Sequence, residues 1–215
     1  NYLPHSFMRA YDDLGVSFQE DKIKKAMGYK KREAIQMFLR GIGEKADEEL
    51  VDKIHHRFVE HINNTYNSEE LKEVPGVSRV FQELKTMGLY ITINTGFSRS
   101  TADIILSKLN WLEAGLVDAS ITSDEVEKGR PAPDMIRKLQ QKFDVSDTEQ
   151  IVKIGDTPSD LLEGENAGCG LVVGVLYGTH KREELDNYLH DYLIEEISEL
   201  VQIIQNHETV QSRKV

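Results

Sequence analysis

Two aspartates stand four positions apart in the segment 154–160 (IGDTPSD), at the end of an apolar run. Asp156 would lie at the end of a strand and Asp160 in the first turn of a helix, so both carboxylates can converge on one hard cation. Mg²⁺ is held in proteins by few carboxylates, several waters and a phosphate oxygen. The alternative is structural, with Asp156 capping the helix and Asp160 stabilising its start. Because capping needs one carboxylate and this segment has two, the spacing favours a metal site.

The segment 94–98 (NTGFS) follows a second apolar run and carries a hydroxyl suited to phosphate. Thr95 would donate its O–H to a phosphoryl oxygen, and the backbone N–H groups that follow Gly96 at a helix start would assist. The alternative is that Ser98 is the N-cap of an ordinary helix. Taken alone, this segment leaves both interpretations open.

The segment 128–133 (KGRPAP) places a cation in a stiff loop. Its two prolines restrict the backbone, so the preceding Arg130 would be presented in a fixed place. A guanidinium group matches the oxygens of a phosphate with its planar set of donors. The alternative is an exposed turn with an unpaired charge, since most arginines are solvated.

The elements that must position these residues lie after Pro75, where short apolar runs alternate with longer amphipathic segments. This alternation is typical of βαβ units and a parallel sheet. Ligands of an open parallel sheet bind beyond the carboxyl ends of its strands, so the hydroxyl, the guanidinium and the aspartate pair can all touch one phosphate. The predicted strands cover 89–93, 117–121, 151–154, 171–176 and 192–194, and the predicted helices cover 76–87, 98–109, 133–143, 158–167, 181–189 and 196–206.

Before Pro75 the apolar spacing is almost entirely helical. Apolar residues recur at intervals of three and four positions, which is the spacing of one helix face. We therefore expect residues 1–74 to form a small all-helical unit, including shorter helices at 4–14 and 19–27. The polar tail 206–215 is expected to fray.

Composition limits the class of protein. The 215 residues are 39% hydrophobic, which is enough for a packed core and excludes global disorder. Asp and Glu number 37 against 26 Lys and Arg, and the net charge of −11 repels nucleic acid and anionic membranes. No apolar run in the sequence is long enough for a membrane span. A single cysteine, Cys169, fits a reducing compartment, so we expect a cytoplasmic protein that binds neither nucleic acid nor membranes.

Together, the three motifs resemble those of the haloacid dehalogenase superfamily, and within it the phosphonoacetaldehyde hydrolase-like branch. Residues 94–97 resemble its second motif and residues 155–160 its fourth. Residues 129–133 resemble its third motif, in the form that has Arg where most of the superfamily has Lys. The resemblance covers nearly the whole chain. It implies an α/β fold with a Rossmann-like parallel sheet core at 75–215 and a small all-helical cap domain at 1–74.

The resemblance also implies an activity. It implies an Mg²⁺-dependent hydrolase of a small phosphate or phosphonate metabolite, which the cap encloses. Thr95, Gly96 and Arg130 would contact the phosphate, while Asp156 would hold the metal and Asp160 would be a ligand or orient one. A homodimer formed through the cap is a further implication of the resemblance.

A further clue lies in the cap, in the segment 27–35 (MGYKKREAI). In phosphonoacetaldehyde hydrolase, also called phosphonatase, a lysine forms a Schiff base with the substrate aldehyde. A Met-Gly pair stands a few residues before that lysine. The matching residues here are Met27, Gly28 and Lys31, so the resemblance places Met27 and Gly28 at the substrate and makes Lys31 catalytic. An iminium group is an electron sink that lets a C–P bond break. The alternatives are a solvated basic helix face and a clamp on an anionic substrate.

The first motif of the family, an apolar strand that ends in an aspartate nucleophile, is not found in the printed sequence. Asp12 and Asp13 cannot replace it because helical residues precede them. We expect the sequence to be a fragment that is inactive as it stands, and whose sheet has a gap where the central strand belongs. In the complete protein that aspartate would form an aspartyl-phosphate, which water then hydrolyses. The alternatives are a phosphatase without Schiff-base chemistry and a non-catalytic phosphate-binding relative.

Overall fold

The structure, a computed structural model, describes residues 2–24 and 26–211. Its first part is a helical unit of four helices, as the apolar spacing predicts. These are α1 (Tyr2–Asp12), α2 (Glu20–Lys24), α3 (Lys31–Gly41) and α4 (Glu48–Ser68).

The helical unit has a hydrophobic core of its own, centred on aromatic rings. Phe7 of α1 stacks on Phe58 of α4 with ring centroids 4.1 Å apart, and Tyr11 packs on Phe38 of α3 at 4.5 Å. All four side chains are buried. Burying one large apolar side chain contributes about 1.5–3 kcal/mol, so these contacts hold the three longer helices together.

Up to residue 211, where the described part ends, the second part contains five short strands and six α-helices. The strands are β1 (Thr92–Thr95), β2 (Ala119–Thr122), β3 (Val152–Gly155), β4 (Leu171–Val175) and β5 (Tyr192–Ile194). The helices are α5 (Val77–Thr86), α6 (Arg99–Leu109), α7 (Asp134–Lys142), α8 (Pro158–Ala167), α9 (Arg182–Leu185) and α10 (Glu199–Gln211).

Every strand pairing is parallel, but the strands form two sheets. One sheet is β1–β2 and the other is β3–β4–β5. Within the described residues no backbone ladder joins β1 to β3, which agrees with the expected gap in the sheet. One hydrophobic cluster still joins the halves, because α5 and α10 pack against strand residues of both sheets.

Helices also cover the opposite face. Met135 and Leu139 of α7 pack against Ala119 and Ile121 of β2. Leu161 of α8 packs against Val172 of β4. Parallel strands with helices on both faces confirm the predicted α/β, Rossmann-like fold.

Several element boundaries differ from the predicted ones. The ladders of β1 and β2 begin two or three residues late, because the Ile91 N–H donates to the Asp118 side chain at 2.7 Å and the Asp118 N–H to the Ile91 carbonyl at 2.8 Å. Helix α2 covers Glu20–Lys24, and the predicted continuation to 27 is wrong because residues 26–28 form a turn, in which Gly28 has a left-handed φ of +85°.

The last two helices also differ. Helix α9 is only four residues long, much shorter than the predicted 181–189. The expected fraying from Asn206 is wrong as far as Gln211, because α10 continues to that residue. Residues 212–215 lie outside the described part. No helix in residues 2–24 and 26–211 is both long enough and apolar enough to cross a membrane.

Candidate active site

The turn at residues 26–30 of the helical unit lies against all three strand-end motifs. The Ser159 hydroxyl donates to the Met27 carbonyl at 3.4 Å. A Cβ on residue 96 would lie 2.9 Å from the Gly28 carbonyl oxygen, and a Cβ on residue 129 would lie 2.8 Å from the Lys30 Cβ. Glycine at 96 and 129 is what permits this approach. One turn therefore brings the segments around 96, 129 and 159 to a single place.

Thr95 stands at the end of β1, as predicted, and its hydroxyl oxygen accepts the Phe97 N–H at 3.2 Å. Ser98 occupies the N-cap position of α6, but its side chain makes no capping bond. The first helical N–H, that of Arg99, donates instead to both oxygens of Asp124 at 3.1 Å. Helix capping therefore does not account for the Ser98 hydroxyl, which contacts Ser100 and Thr101.

Arg130 is buried, so the exposed-turn alternative is wrong for this residue. Its guanidinium forms an ion pair with Asp160, and its Nε lies 4.0 Å from Glu163 Oε2. Burial acts to lower the pKa of Arg130, but the charges of Asp160 and Glu163 outweigh it and raise the pKa. The side chain is thus a fixed, fully charged cation.

Asp160 lies in the first turn of α8 with both oxygens occupied. Besides Arg130, it pairs with Lys153 Nζ at 3.0 Å, and it accepts the Thr157 N–H at 3.2 Å and the Thr157 hydroxyl at 2.5 Å. Burial acts to raise its pKa, but Arg130 and Lys153 hold the pKa well below the usual range. Asp160 closes a capping box with Thr157, so this residue also has the structural role of stabilising the start of α8.

Asp156 follows β3 directly and is oriented by the backbone. The Thr179 N–H donates to its Oδ2 at 2.6 Å. Among the residues that the structure describes, no three His, Cys, Asp or Glu side chains cluster as a metal-binding group. The carboxylate of Asp156 alone still fits Mg²⁺, which binds few protein carboxylates and completes its shell with water and phosphate oxygens.

Lys31 is the first residue of α3 and lies inside the site. Its side chain is buried, and Nζ lies 3.4 Å from the Tyr29 carbonyl and 5.0 Å from the centre of the Phe97 ring. Burial and then the charge of Arg130 lower the pKa of Lys31 to about 7, against the opposing effect of Asp160 and Asp156.

The neighbouring basic residue has a different role. Arg32 pairs with Glu48 at 2.7 Å and with Asp52 at 2.6 Å, all three being partly or fully exposed. The solvated-face alternative therefore holds for Arg32 and is wrong for Lys31. The adjacent lysine, Lys30, reaches the Val126 carbonyl at 3.5 Å.

Three polar residues of this region are absent from the sequence-based site: Lys153 and Glu163, which are buried, and Asn94, which is partly buried. Lys153 interrupts the apolar run of β3, and Glu163 follows Asp160 by three positions, on the same side of α8. The signals are a charge within a buried strand and a second acid at helical spacing. Each of these two signals, taken alone, is also compatible with an exposed side chain.

The profile of one protein family, described as haloacid dehalogenase-like hydrolase, matches residues 2–174, which is most of the chain. Among curated proteins, the phosphonoacetaldehyde hydrolase of Latilactobacillus sakei is 26% identical over an alignment of 247 positions, which covers 96% of this chain and 89% of that protein.

Solved structures agree on the fold. A phosphonoacetaldehyde hydrolase-like protein from Oleispira antarctica superposes with a TM-score of 0.84 at 21% identity, covering 99% of this chain and 88% of that one. A hydrolase from Pseudomonas syringae superposes with the same TM-score at 20% identity, covering 95% and 91%.

Proposed function

Because the chain belongs to the haloacid dehalogenase-like hydrolase family, we propose that it acts as a phosphonatase-like hydrolase, which removes a phosphoryl group from a small phosphonate or phosphate that also bears a carbonyl. The observation that carries this proposal is the position of Lys31, a buried amine whose pKa is lowered to about 7 and which lies over the ring of Phe97, two residues after Thr95. The similarity to phosphonoacetaldehyde hydrolases supports the same substrate class.

The proposed role of Lys31 is to form a Schiff base. Its neutral amine adds to the substrate carbonyl, and water leaves to give an iminium ion. When the C–P bond breaks, its electron pair moves to the carbon and forms an enamine, while phosphorus passes to the attacking nucleophile. The enamine is then protonated at that carbon and hydrolysed, which regenerates Lys31.

The phosphate-binding roles fall to residues at the strand ends. The Thr95 hydroxyl and the N–H groups after Gly96 would hold phosphoryl oxygens, and Arg130 would balance their charge. Asp156 would hold the Mg²⁺ ion, which when bound neutralises the phosphoryl group. Asp160, already paired with Arg130, would act as the residue that orients the guanidinium.

The nucleophile would be an aspartate outside the printed sequence. The gap between β1 and β3, which no backbone ladder joins in the described residues, supports this proposal, because Thr95 stands at the carboxyl end of β1 and Asp156 directly follows β3. An aspartate at the end of a strand in that gap would lie between the two residues and form the aspartyl-phosphate. The helical unit would serve as the cap, with its turn 26–30 excluding water.

Borohydride trapping tests this function. The full-length protein is incubated with phosphonoacetaldehyde and borohydride, and the modified peptide is identified by mass spectrometry. We expect one adduct on Lys31, none in Lys31→Arg, and an unchanged adduct in the neighbouring control Lys30→Arg. Trapping at another lysine, or none at all, would contradict the Schiff-base mechanism.

A second candidate is a phosphatase in which Lys31 stays charged and clamps the phosphate. The contact with the Phe97 ring favours this candidate, because an aromatic face stabilises the ammonium form. In that case trapping fails, while Mg²⁺-dependent hydrolysis of a generic phosphate ester is retained. If the full-length protein hydrolyses neither substrate, the non-catalytic phosphate-binding alternative is favoured.

A further inference from the structure

A salt bridge joins the helical unit to the second part of the chain, away from the gap between the two sheets. Lys24 Nζ of α2 lies 2.9 Å from both carboxylate oxygens of Glu184 in α9. Helix α9 follows β4, which pairs with one edge of β3, while the gap lies at the other edge. A strand in the gap would therefore lie on the opposite side of β3 from this contact.

Glu184 also holds the loop that follows β4, residues 176–181. Its Oε2 accepts the Lys181 N–H at 2.9 Å, directly before α9 begins. The Lys181 N–H and the Lys24 ammonium group hold the pKa of the Glu184 carboxyl below its usual value, so the carboxylate is charged at neutral pH. Glu184 thus connects the loop to the helical unit.

The same loop orients Asp156 at the end of β3. The Thr179 N–H donates to Asp156 Oδ2 at 2.6 Å. A Cβ on residue 178 would collide with the Asp156 side chain, so glycine at this position is what permits the close approach of the loop. Because Thr179 and Lys181 are only two positions apart, a shift of the backbone at Lys181 also moves the N–H that binds Asp156.

We propose that Glu184 is a positioning residue, through which docking of the helical unit by Lys24 helps to orient Asp156. This inference rests on the proposed function, in which Asp156 holds Mg²⁺. A group that orders a metal ligand raises the affinity for the metal, and by reciprocity the bound metal favours docking. The salt bridge is partly exposed, with 39% of the Lys24 side chain and 40% of the Glu184 side chain accessible, so it adds little to overall stability.

Amide hydrogen exchange, followed by mass spectrometry, tests this inference in the full-length protein without substrate. Lys24→Gln and Glu184→Gln should each speed exchange of segment 176–181 by up to about fivefold, the range expected for a partly exposed ion pair. Glutamine at 184 keeps an oxygen that can accept the Lys181 N–H. The double variant should exchange no faster than the faster single variant, because both changes remove the same contact.

Two exposed positions provide controls with the same changes of charge. They are Lys45→Gln in the helical unit and Glu183→Gln in α9, and both should match the wild type. Exchange in β4 should stay unchanged in every variant. If only Glu184→Gln speeds exchange of the loop, Glu184 merely fixes the start of α9 and the inference is overturned. Unchanged exchange, additive effects in the double variant or faster exchange in β4 would also overturn it.

Calorimetry of Mg²⁺ binding, with inorganic phosphate present, gives the second readout. At low ionic strength Lys24→Gln and Glu184→Gln should each bind Mg²⁺ up to about fivefold more weakly than the wild type. This difference should largely vanish near about 0.5 M salt, which screens an exposed ion pair. A difference that is absent at low salt, or that does not depend on salt, would contradict the inference.

These two measurements stay separate from the test of the proposed function, since neither needs turnover nor an adduct on Lys31. If borohydride trapping fails while exchange and Mg²⁺ binding change as expected, the Schiff-base mechanism is rejected and the role of Glu184 stands. If trapping succeeds and the loop exchanges alike in all variants, the proposed function stands and the role of Glu184 is rejected. A wild type that binds no Mg²⁺ would reject the role of Asp156 and this inference with it.

Discussion

The Lys31 ammonium group lies 5.0 Å from the centre of the Phe97 ring, so a side chain of the helical unit contacts the segment that carries Thr95. Two sets of effects act on this amine. Burial and Arg130 lower its pKa, whereas Asp160 and Asp156 act in the opposite direction. The result is a pKa of about 7, at which roughly half of the amine is neutral at neutral pH.

The rate of Schiff-base formation should follow this pKa. Only the neutral amine attacks a carbonyl, so the rate of borohydride-trapped adduct formation should rise with pH and level off above about 7. Below pH 7, each decrease of one pH unit should lower the rate of adduct formation about tenfold. Adduct formation by the full-length protein is measured from pH 5 to 9. A rate that still rises steeply at pH 9 would show that the amine has an ordinary pKa.

The stability of the protein should show the same titration with a defined sign. Lys31 binds a proton less tightly in the folded state, where its pKa is about 7, than in the unfolded state, where it is 10.5. Between these values the unfolded state binds more protons, so the Lys31 contribution to the free energy of unfolding rises with pH by up to roughly 1.4 kcal/mol per unit.

Lys31→Met removes the cost of burying this titrating amine. Its free energy of unfolding should therefore exceed that of the wild type most clearly below pH 7. The advantage should shrink as pH rises towards 10.5. Urea denaturation at several pH values measures the difference, with Lys30→Met as the control. An advantage that does not depend on pH would contradict the burial of a titrating amine.

The parts of the site that the sequence predicts are those with local signals. Thr95 and Asp156 follow apolar runs, and their position at the carboxyl ends of parallel strands depends only on the alternation of strands and helices. Helices α3 and α4 were predictable for the same reason, because an apolar stripe at intervals of three and four has one way to be buried.

The parts that the sequence does not predict depend on partners far along the chain. Asp160 pairs with Arg130, thirty positions earlier, and Glu163 with Asn94, 69 positions earlier. A lysine such as Lys153 in a short strand has no local sign of burial, since its burial is possible only once carboxylates of α8 face it. The turn that begins before Gly28, at residue 26, does not follow from the sequence, because a single glycine does not reveal its φ.

Gly28→Ala should be more destabilising than an ordinary change at a left-handed glycine. A Cβ at this position would collide with the Ser159 and Thr157 hydroxyls, and φ is +85°. Gly43→Ala is the matched control, with φ +81° and no atom within 4 Å of the added Cβ. The left-handed backbone alone costs about 1–2 kcal/mol, so Gly43→Ala should lose about that much and Gly28→Ala clearly more.

Chemical denaturation compares the two variants, and turnover provides a second readout. Because the turn at Gly28 lies on the strand-end motifs, Gly28→Ala should also lower kcat/KM, whereas Gly43→Ala should not. Equal losses of stability in the two variants would mean that the turn does not pack against Thr157 and Ser159 as described.

Asp160→Asn should be strongly destabilising because it leaves Arg130 and Lys153 buried with one fewer carboxylate. Removing one partner of a buried ion pair typically costs about 3–5 kcal/mol. Asp103→Asn is the control, since Asp103 is exposed and pairs with Arg99 at 3.2 Å, and it should cost less than about 1 kcal/mol. Urea denaturation at pH 7 measures both. Similar small losses would show that Asp160 is not the buried counter-ion of this cluster.

Phe97→Leu should lower the apparent pKa of Lys31 still further. The aromatic face stabilises the ammonium form by about 0.5–1 kcal/mol, so its loss should shift the pKa down by roughly half a unit. In the trapping experiment the pH profile would move to lower pH while the adduct stays on Lys31. Phe143→Leu is the control, because Lys142 lies 5.9 Å from that ring at a separate position. An upward shift in Phe97→Leu would mean that the ring acts on Lys31 chiefly by excluding water, since a smaller side chain would then let solvent restore the charged form.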